Sequence, residues 1–246
     1  MQRQFGATAD RYRTSSYHSS APDLDALCAA ARLQGSERVL DIGTGTGHTA
    51  LAMASGAAEV VGIDLTPAML EQARQLASER RIDNVNFEAG NAQALPYDDD
   101  SFDVVTCRVC AHHFADSEVA VREAARVLRP GGRVLWVDSM VPEDPAQDTF
   151  LNTIELLRDV SHVRDHSVSQ WQEMFAATGL TATVEGRWQT ELPFDDWTER
   201  MQTPEPARVM LRRLFDGATV QICEAFGIRT SPYGFDIPIV LLRASQ

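Results

Sequence analysis

The stretch from Val39 to Gly47, VLDIGTGTG, constrains this chain more than any other: an apolar run ends in an aspartate, and glycines then fall at every second position. Val39 and Leu40 continue a buried strand and Asp41 closes it. Gly43, Gly45 and Gly47, with Thr44 between the first two, let the backbone turn tightly, approach a ligand without a Cβ and enter a helix. That helix, expected over residues 47–57, directs its N-terminal amides at whatever binds there. A second apolar strand, Val60 to Ile63, ends at Asp64. Asp64 lies 21 positions after Gly43, close to the roughly 20 that separate a glycine turn from the carboxylate on the ribose hydroxyls in a mononucleotide-binding unit. A ligand containing a nucleoside is expected.

Two nucleoside cofactors compete. The G-x-G-x-x-G/A fingerprint of a nicotinamide dinucleotide can be laid on Gly45, Gly47 and Ala50. That register places Asp41 and Gly43 within or at the end of the strand, where a charge and a glycine are both poorly suited. Anchoring on Gly43 instead leaves His48 where the third glycine belongs. A carboxylate at position 41 also attracts a cationic amino-acid end and repels a diphosphate.

The stretches VLDIGTGTGHTA, VVGIDLTPAML and ARVLRPGGRVLWVD, in that order over residues 36–140, resemble the class I S-adenosylmethionine-dependent methyltransferases, in the small-molecule branch that includes quinone-biosynthesis enzymes. The resemblance implies that Asp41 and the turn from Gly43 to Gly47 hold the methionine part, Asp64 the ribose hydroxyls and Leu65 one adenine face. It further implies that Asn91 and Ala92 flank the adenine edge. The family usually has aspartate at the first of these; an asparagine oxygen still accepts from an amino group. The implied product is S-adenosylhomocysteine.

At 246 residues the chain fits one α/β domain. Residues 1–35 are expected to form an N-terminal lid, 36–140 the cofactor-binding core, 141–230 an insert covering the acceptor, and 231–246 a last strand. Net charge is −13, and every cationic side chain is arginine. A phosphate-backbone footprint, and so nucleic acid, is disfavoured. No run approaches the 18 apolar residues of a membrane span, so a cytoplasmic protein with no membrane partner is expected. Oligomeric state stays open, a homodimer included. The four cysteines suggest no disulfide framework. Cys107-x-x-Cys110 lacks a second ligand pair at zinc spacing and reads as packing, so no metal site is expected.

Along the chain, a helix is expected over residues 23–33. Thr66 and Pro67 open another, with Met69, Leu70, Ala73, Leu76 and Ala77 on one apolar face. Residues 84–88 and 102–106 read as strands. Asp116 or Ser117 caps a helix running to Arg129, stopped by Pro130, and 133–138 is the fifth strand. This alternation predicts a doubly wound, Rossmann-like, seven-stranded, mostly parallel sheet with helices on both faces and a helical lid. Phe150, Leu151, Ile154 and Leu157 mark an inserted helix, followed by the loop SHVRDHSVS. Ser169 and Gln172 form the expected capping box of a helix bearing Trp171 and Phe175 and ending at Gly179. Strands follow at 181–188 and 235–242, with Pro238 suggesting an edge or a bulge.

Methyl transfer from a sulfonium is an in-line displacement, so alignment and exclusion of water are the enzyme's main tasks. Acceptor chemistry is expected beyond the fourth strand, at Arg108, His112, His113 and Phe114. His113, with His112 second, is the candidate base, although either could simply pack in the helix-entry loop. Arg108 could clamp a carboxylate of donor or acceptor or be structural. Tyr17 and His18 are candidates for closing over the methionine end. The same fold could also bind the cofactor without transferring methyl, as a cyclase or binding module.

Overall fold

A computed structural model describes residues 22–246. Helix α1 (Pro22–Ala31) precedes strand β1 (Arg38–Ile42), then α2 (His48–Ala54), β2 (Glu59–Asp64), α3 (Pro67–Arg80), β3 (Val85–Ala89) and β4 (Phe102–Arg108). A 3-10 turn (Ala111–His113) leads to α4 (Ser117–Arg126) and β5 (Leu128–Ser139). The second half runs α5 (Pro145–Arg158), α6 (Val168–Ala176), β6 (Thr181–Pro193), α7 (Phe194–Arg200), α8 (Glu205–Asp216), α9 (Val220–Ala225), β7 (Arg229–Thr230) and β8 (Tyr233–Ser245).

The sheet order is β3-β2-β1-β4-β5-β8-β6, with β7 added as a short partner of β8. The first five strands pair in parallel, and β8 is antiparallel to both neighbours. The expected seven-stranded, mostly parallel sheet is present, and the two-residue β7 makes an eighth. Because the chain runs outward from β1 to β3 and returns to β4, the carboxyl ends of β1 and β4 splay apart and leave the crevice where open α/β sheets bind ligands.

Apolar positions sort to the two faces. One core gathers α1, α2, α3, α5, α7, α8 and α9; the other gathers α4, α6 and the opposite face of β1, β4 and β5. In α3 the buried residues are the five expected, Met69, Leu70, Ala73, Leu76 and Ala77. Helix α4 is capped by Asp116, whose carboxylate accepts from the Val119 amide at 3.0 Å.

Three local expectations are corrected. Helix α4 stops at Arg126 because Leu128 already pairs with Phe102 as β5 begins. The capping box of α6 is Ser167 with Gln170; Ser169 instead donates to Glu143, and Gln172 gives its amide to the Ala182 carbonyl at 3.0 Å. Strand β8 is interior, so Pro238 marks no edge. Its carbonyl accepts from the Met140 amide, just past the end of β5 at Ser139. In an antiparallel ladder a residue's N–H and C=O face the same neighbour, so proline's missing donor falls where that neighbour leaves the sheet.

Candidate active site

The glycine turn is built on three strands at once. Asp41 lies beside Gly62 on β2 and Thr106 on β4. Its carboxylate accepts from Thr44 Oγ1 at 2.6 Å and from Thr106 Oγ1 at 2.7 Å. Burial pushes its pKa up to about 6, against the lowering effect of those two hydroxyls. The turn is tied to β2 as well: Thr44 N–H donates to Ile63 O at 2.8 Å, and Gly45 N–H to Asp64 Oδ2 at 3.0 Å.

Each glycine has its own reason. Gly43 has φ +65°, and a Cβ there would overlap Cys110 Sγ. Gly45 has φ +52°, and no described residue comes within 4 Å of where its Cβ would stand. Gly47, at φ +86°, faces the other way, since its Cβ would come within 2.9 Å of Phe87 and 3.0 Å of Ala73 Cβ. This third glycine allows α2 to sit close on the sheet and does not line the crevice.

The crevice is a cavity of about 340 Å³ bounded by the turn, the end of β2, the segment after β3 and the end of β4. Of the expected residues, Gly43, Thr44, Gly45, Asp64, Leu65, Asn91, Ala92, Arg108 and His113 line it. Asp64 also accepts from the Thr66 amide at 2.7 Å, and burial raises its pKa. Leu65 is left 38% exposed, an apolar side chain on an open wall. Arg108 Nε donates to Asp23 Oδ2 on α1 at 2.5 Å, a largely buried pair that fixes the guanidinium. Thr46, Thr49, Met69 and Gln93 also line the cavity and were missed in the sequence. Met69 carried a signal as part of the apolar face of α3, and Gln93 stands two positions after Asn91; the threonines carried none beyond their place in the turn and first helix.

Beside Gly47, two further expected contacts are corrected. Asp41 is 1% exposed and stands behind the wall, so it anchors Thr44 and does not reach the ligand space. His112 turns away from the crevice. Its Nδ1 lies 2.7 Å from Asp138 Oδ1 at the end of β5, and its backbone N–H donates to Asp138 Oδ2 at 3.0 Å. Burial works against its charged form, but the Asp138 carboxylate prevails and raises its pKa to about 9. His113 does face the crevice. Burial first, then the charge on His112, holds its pKa well below the ordinary histidine range. Its Nδ1 lies 3.0 Å from the Ser161 carbonyl, so Nδ1 carries the proton and Nε2 is the accepting nitrogen. The loop bearing Arg164 and His166 straps this corner, with the amides of Val163 and Arg164 donating to His112 O at 2.9 and 3.1 Å. Tyr17 and His18 lie outside the described residues. Cys107 Sγ and Cys110 Sγ stand 3.3 Å apart as free thiols.

A parallel-sheet crevice with a three-strand glycine turn, a carboxylate on β2 and an apolar shelf after it defines a nucleoside-binding methyltransferase-type core. The family model described as a methyltransferase domain matches residues 33–201, and the chain belongs to that family of S-adenosylmethionine-dependent methyltransferases. It is 40% identical to the uncharacterised methyltransferase YcgJ of Bacillus subtilis over 243 residues, 97% of this chain and 96% of that one. The crystal structure of YcgJ superposes with a TM-score of 0.87 over 90% of this chain and 96% of that one, again at 40% identity. A candidate methyltransferase from Bacillus halodurans C-125 superposes at 0.88 with 34% identity, over 91% of this chain and 98% of that one. A demethylmenaquinone methyltransferase of Deinococcus radiodurans is 38% identical over 148 residues, 58% of this chain and 61% of that one. Among the described residues no helix is long and apolar enough to cross a membrane.

Proposed function

We propose that the crevice holds S-adenosylmethionine, and that the chain transfers its methyl group in the cytoplasm to an oxygen, carbon or nitrogen atom of a small molecule entering beside His113. One observation carries this: the turn, Asp64, Leu65, Asn91 and Ala92, contributed by separate segments, form one continuous wall at the sheet's crossover point. The residues fit the cofactor. Asp64 has carboxylate lone pairs for ribose hydroxyls beyond the two amides it already accepts, Leu65 and Met69 offer apolar faces to a purine, and Asn91 has an amide at its edge. At Gly45 no described residue stands where a side chain would intrude. Arg108 brings positive charge to the methionine end, where Asp23 holds it. Asp41 acts indirectly, by fixing Thr44.

When bound, S-adenosylmethionine supplies an electrophilic methyl on a positively charged sulfur. The chain's own contribution is to align the acceptor in line with that bond and to exclude water. His113 is neutral at physiological pH, so Nε2 can receive a proton as the new bond forms. A base held so weak suits an acceptor whose O–H or C–H is already acidic, such as a phenol or an enol.

Transfer of labelled methyl to a panel of phenols, quinols, amines and carboxylic acids tests the assignment. Turnover on an acidic hydroxyl or carbon, lost by about 10²-fold or more in His113→Ala while S-adenosylhomocysteine affinity persists, is expected. Undiminished turnover in His113→Ala would remove its role, and cofactor binding without transfer to any of these classes would favour the non-methylating reading.

A further inference from the structure

Behind His113 lies a second cavity, about 80 Å³, whose wall includes His112, Glu155, His162 and Asp165. Val109 and His113 line both spaces and divide them. Asp165 carries an oxygen, and Trp197 an indole N–H, that are buried on this wall without a hydrogen-bond partner among the described residues. Asp165 is 1% exposed and receives a hydrogen bond from Ser139 Oγ on Oδ1 at 2.6 Å. Its other oxygen, Oδ2, is buried without a hydrogen-bond partner among the described residues. A buried carboxylate oxygen with nothing to accept from is costly in an unfilled site.

The side chains around it answer what would satisfy that oxygen. Ligating atoms of His112, Asp138 and Asp165 all lie within 4.8 Å of one another. All three are held in place before any ligand arrives. Asp138 accepts from the backbone amides of His112 and Ser139. The Asp165 amide donates to Asn152 Oδ1 at 2.7 Å, and His162 Nε2 lies 3.0 Å from the same oxygen. The His162 ring stacks on His112 with centroids 5.7 Å apart. Fixed second partners of this kind orient metal ligands. The three residues come from the 3-10 turn, the end of β5 and the loop after α5, so nothing in their spacing marked them as a set.

We infer that His112, Asp138 and Asp165 form a binding site for one divalent first-row cation, with Zn²⁺ or Mn²⁺ the best match. One imidazole and two carboxylates make a mixed nitrogen and oxygen set, which suits these ions better than Mg²⁺, whose octahedral hydrate is best served by oxygen alone. The cation takes the open Asp165 oxygen, replaces the proton that His112 and Asp138 otherwise share, and leaves positions for water in the small cavity. With Val109 and His113 lining both cavities, it stands beside the acceptor end of the proposed active site. The site itself does not depend on that assignment.

The test is metal binding to the whole chain after chelator treatment and dialysis. Zn²⁺ and Mn²⁺ are titrated against a chromophoric competitor, and Co²⁺ is added separately for its visible absorption. One equivalent of tight Zn²⁺, with a Co²⁺ spectrum showing nitrogen and oxygen ligation, is expected. Affinity falls at least tenfold in Asp165→Asn, which keeps its size and its hydrogen bond from Ser139, and stays unchanged in Asp99→Asn on the acidic surface. Absence of a stoichiometric site in the wild-type chain overturns the inference, as does Zn²⁺ affinity equal in wild type and Asp165→Asn; Co²⁺ binding with an all-oxygen spectrum excludes His112. Because the wild-type Co²⁺ spectrum needs no variant, a variant that fails to fold leaves the inference open to refutation.

Discussion

Replacing Gly43 by alanine isolates what holds the glycine turn. At φ +65°, a residue with a Cβ costs about 1 kcal/mol in backbone strain. The added methyl also overlaps Cys110 Sγ and comes within 3.0 Å of Cys110 Cβ, and overpacking of this kind costs about 2 kcal/mol. The thiol has little room to yield, because Sγ already contacts Cys107 Sγ at 3.3 Å and Ile42 O at 3.4 Å. A total of about 3 kcal/mol lowers the melting temperature by about 10 °C in a chain of this size. Displacing the turn also weakens S-adenosylhomocysteine binding, by roughly tenfold for each 1.4 kcal/mol that the shift takes from the site. Cys110→Ala removes the overlapping sulfur, so the double variant retains mainly the backbone cost and recovers about 1 to 2 kcal/mol relative to additivity. Calorimetric melting of the four proteins, with titration of S-adenosylhomocysteine, measures both effects. Strict additivity of the two substitutions, in stability and in affinity, would refute the claim that the turn is seated against Cys110.

Asp41 gives a pH dependence with a definite sign. Its folded pKa of about 6 stands above the unfolded value of about 3.9, so its contribution to stability is full below pH 4 and is lost as pH rises through 6. The wild type should therefore lose about 3 kcal/mol relative to Asp41→Asn across that interval; a urea-denaturation difference independent of pH would contradict it. Asp116→Ala removes the amide acceptor at the start of α4 and should cost about 1 kcal/mol, read as a fall of about 2 to 4 °C in melting temperature. An unchanged melt would mean that water replaces the cap without loss.

The parts of the fold set by local pattern were legible. Met69, Leu70, Ala73, Leu76 and Ala77 recur at helical spacing because one side of α3 must be apolar, and they are buried as a set. The turn was legible because backbone conformation selects glycine: Gly43, Gly45 and Gly47 all have positive φ. What could not be read was decided across the sheet. His112 and His113 are neighbours of one residue type, and only Asp138, arriving from β5, assigns the first to an ion pair and leaves the second on the crevice. Asp41 reads as a ligand because it ends a strand at a glycine turn; Thr106, its neighbour on β4, and Thr44 turn it into an anchor. Pro238 follows the edge-strand rule until the end of β5 supplies a gap for it. The convergence of His112, Asp138 and Asp165 belongs to the same class, since it requires three segments to be brought together by the fold.

Asp64 is the residue through which the cofactor assignment can be tested most directly. It is the carboxylate at the end of β2 that ties the glycine turn to the cavity wall. Calorimetric titration of the wild-type chain and of Asp64→Ala with S-adenosylmethionine, S-adenosylhomocysteine and NADH is the decisive measurement. Micromolar binding of both sulfur nucleosides, weakened at least 10²-fold in the variant and absent for NADH, is the expected result, since loss of a charged hydrogen-bonding partner costs about 3 kcal/mol. Binding of NADH in place of the sulfur nucleosides, or sulfur-nucleoside affinity untouched by the loss of Asp64, would contradict the account.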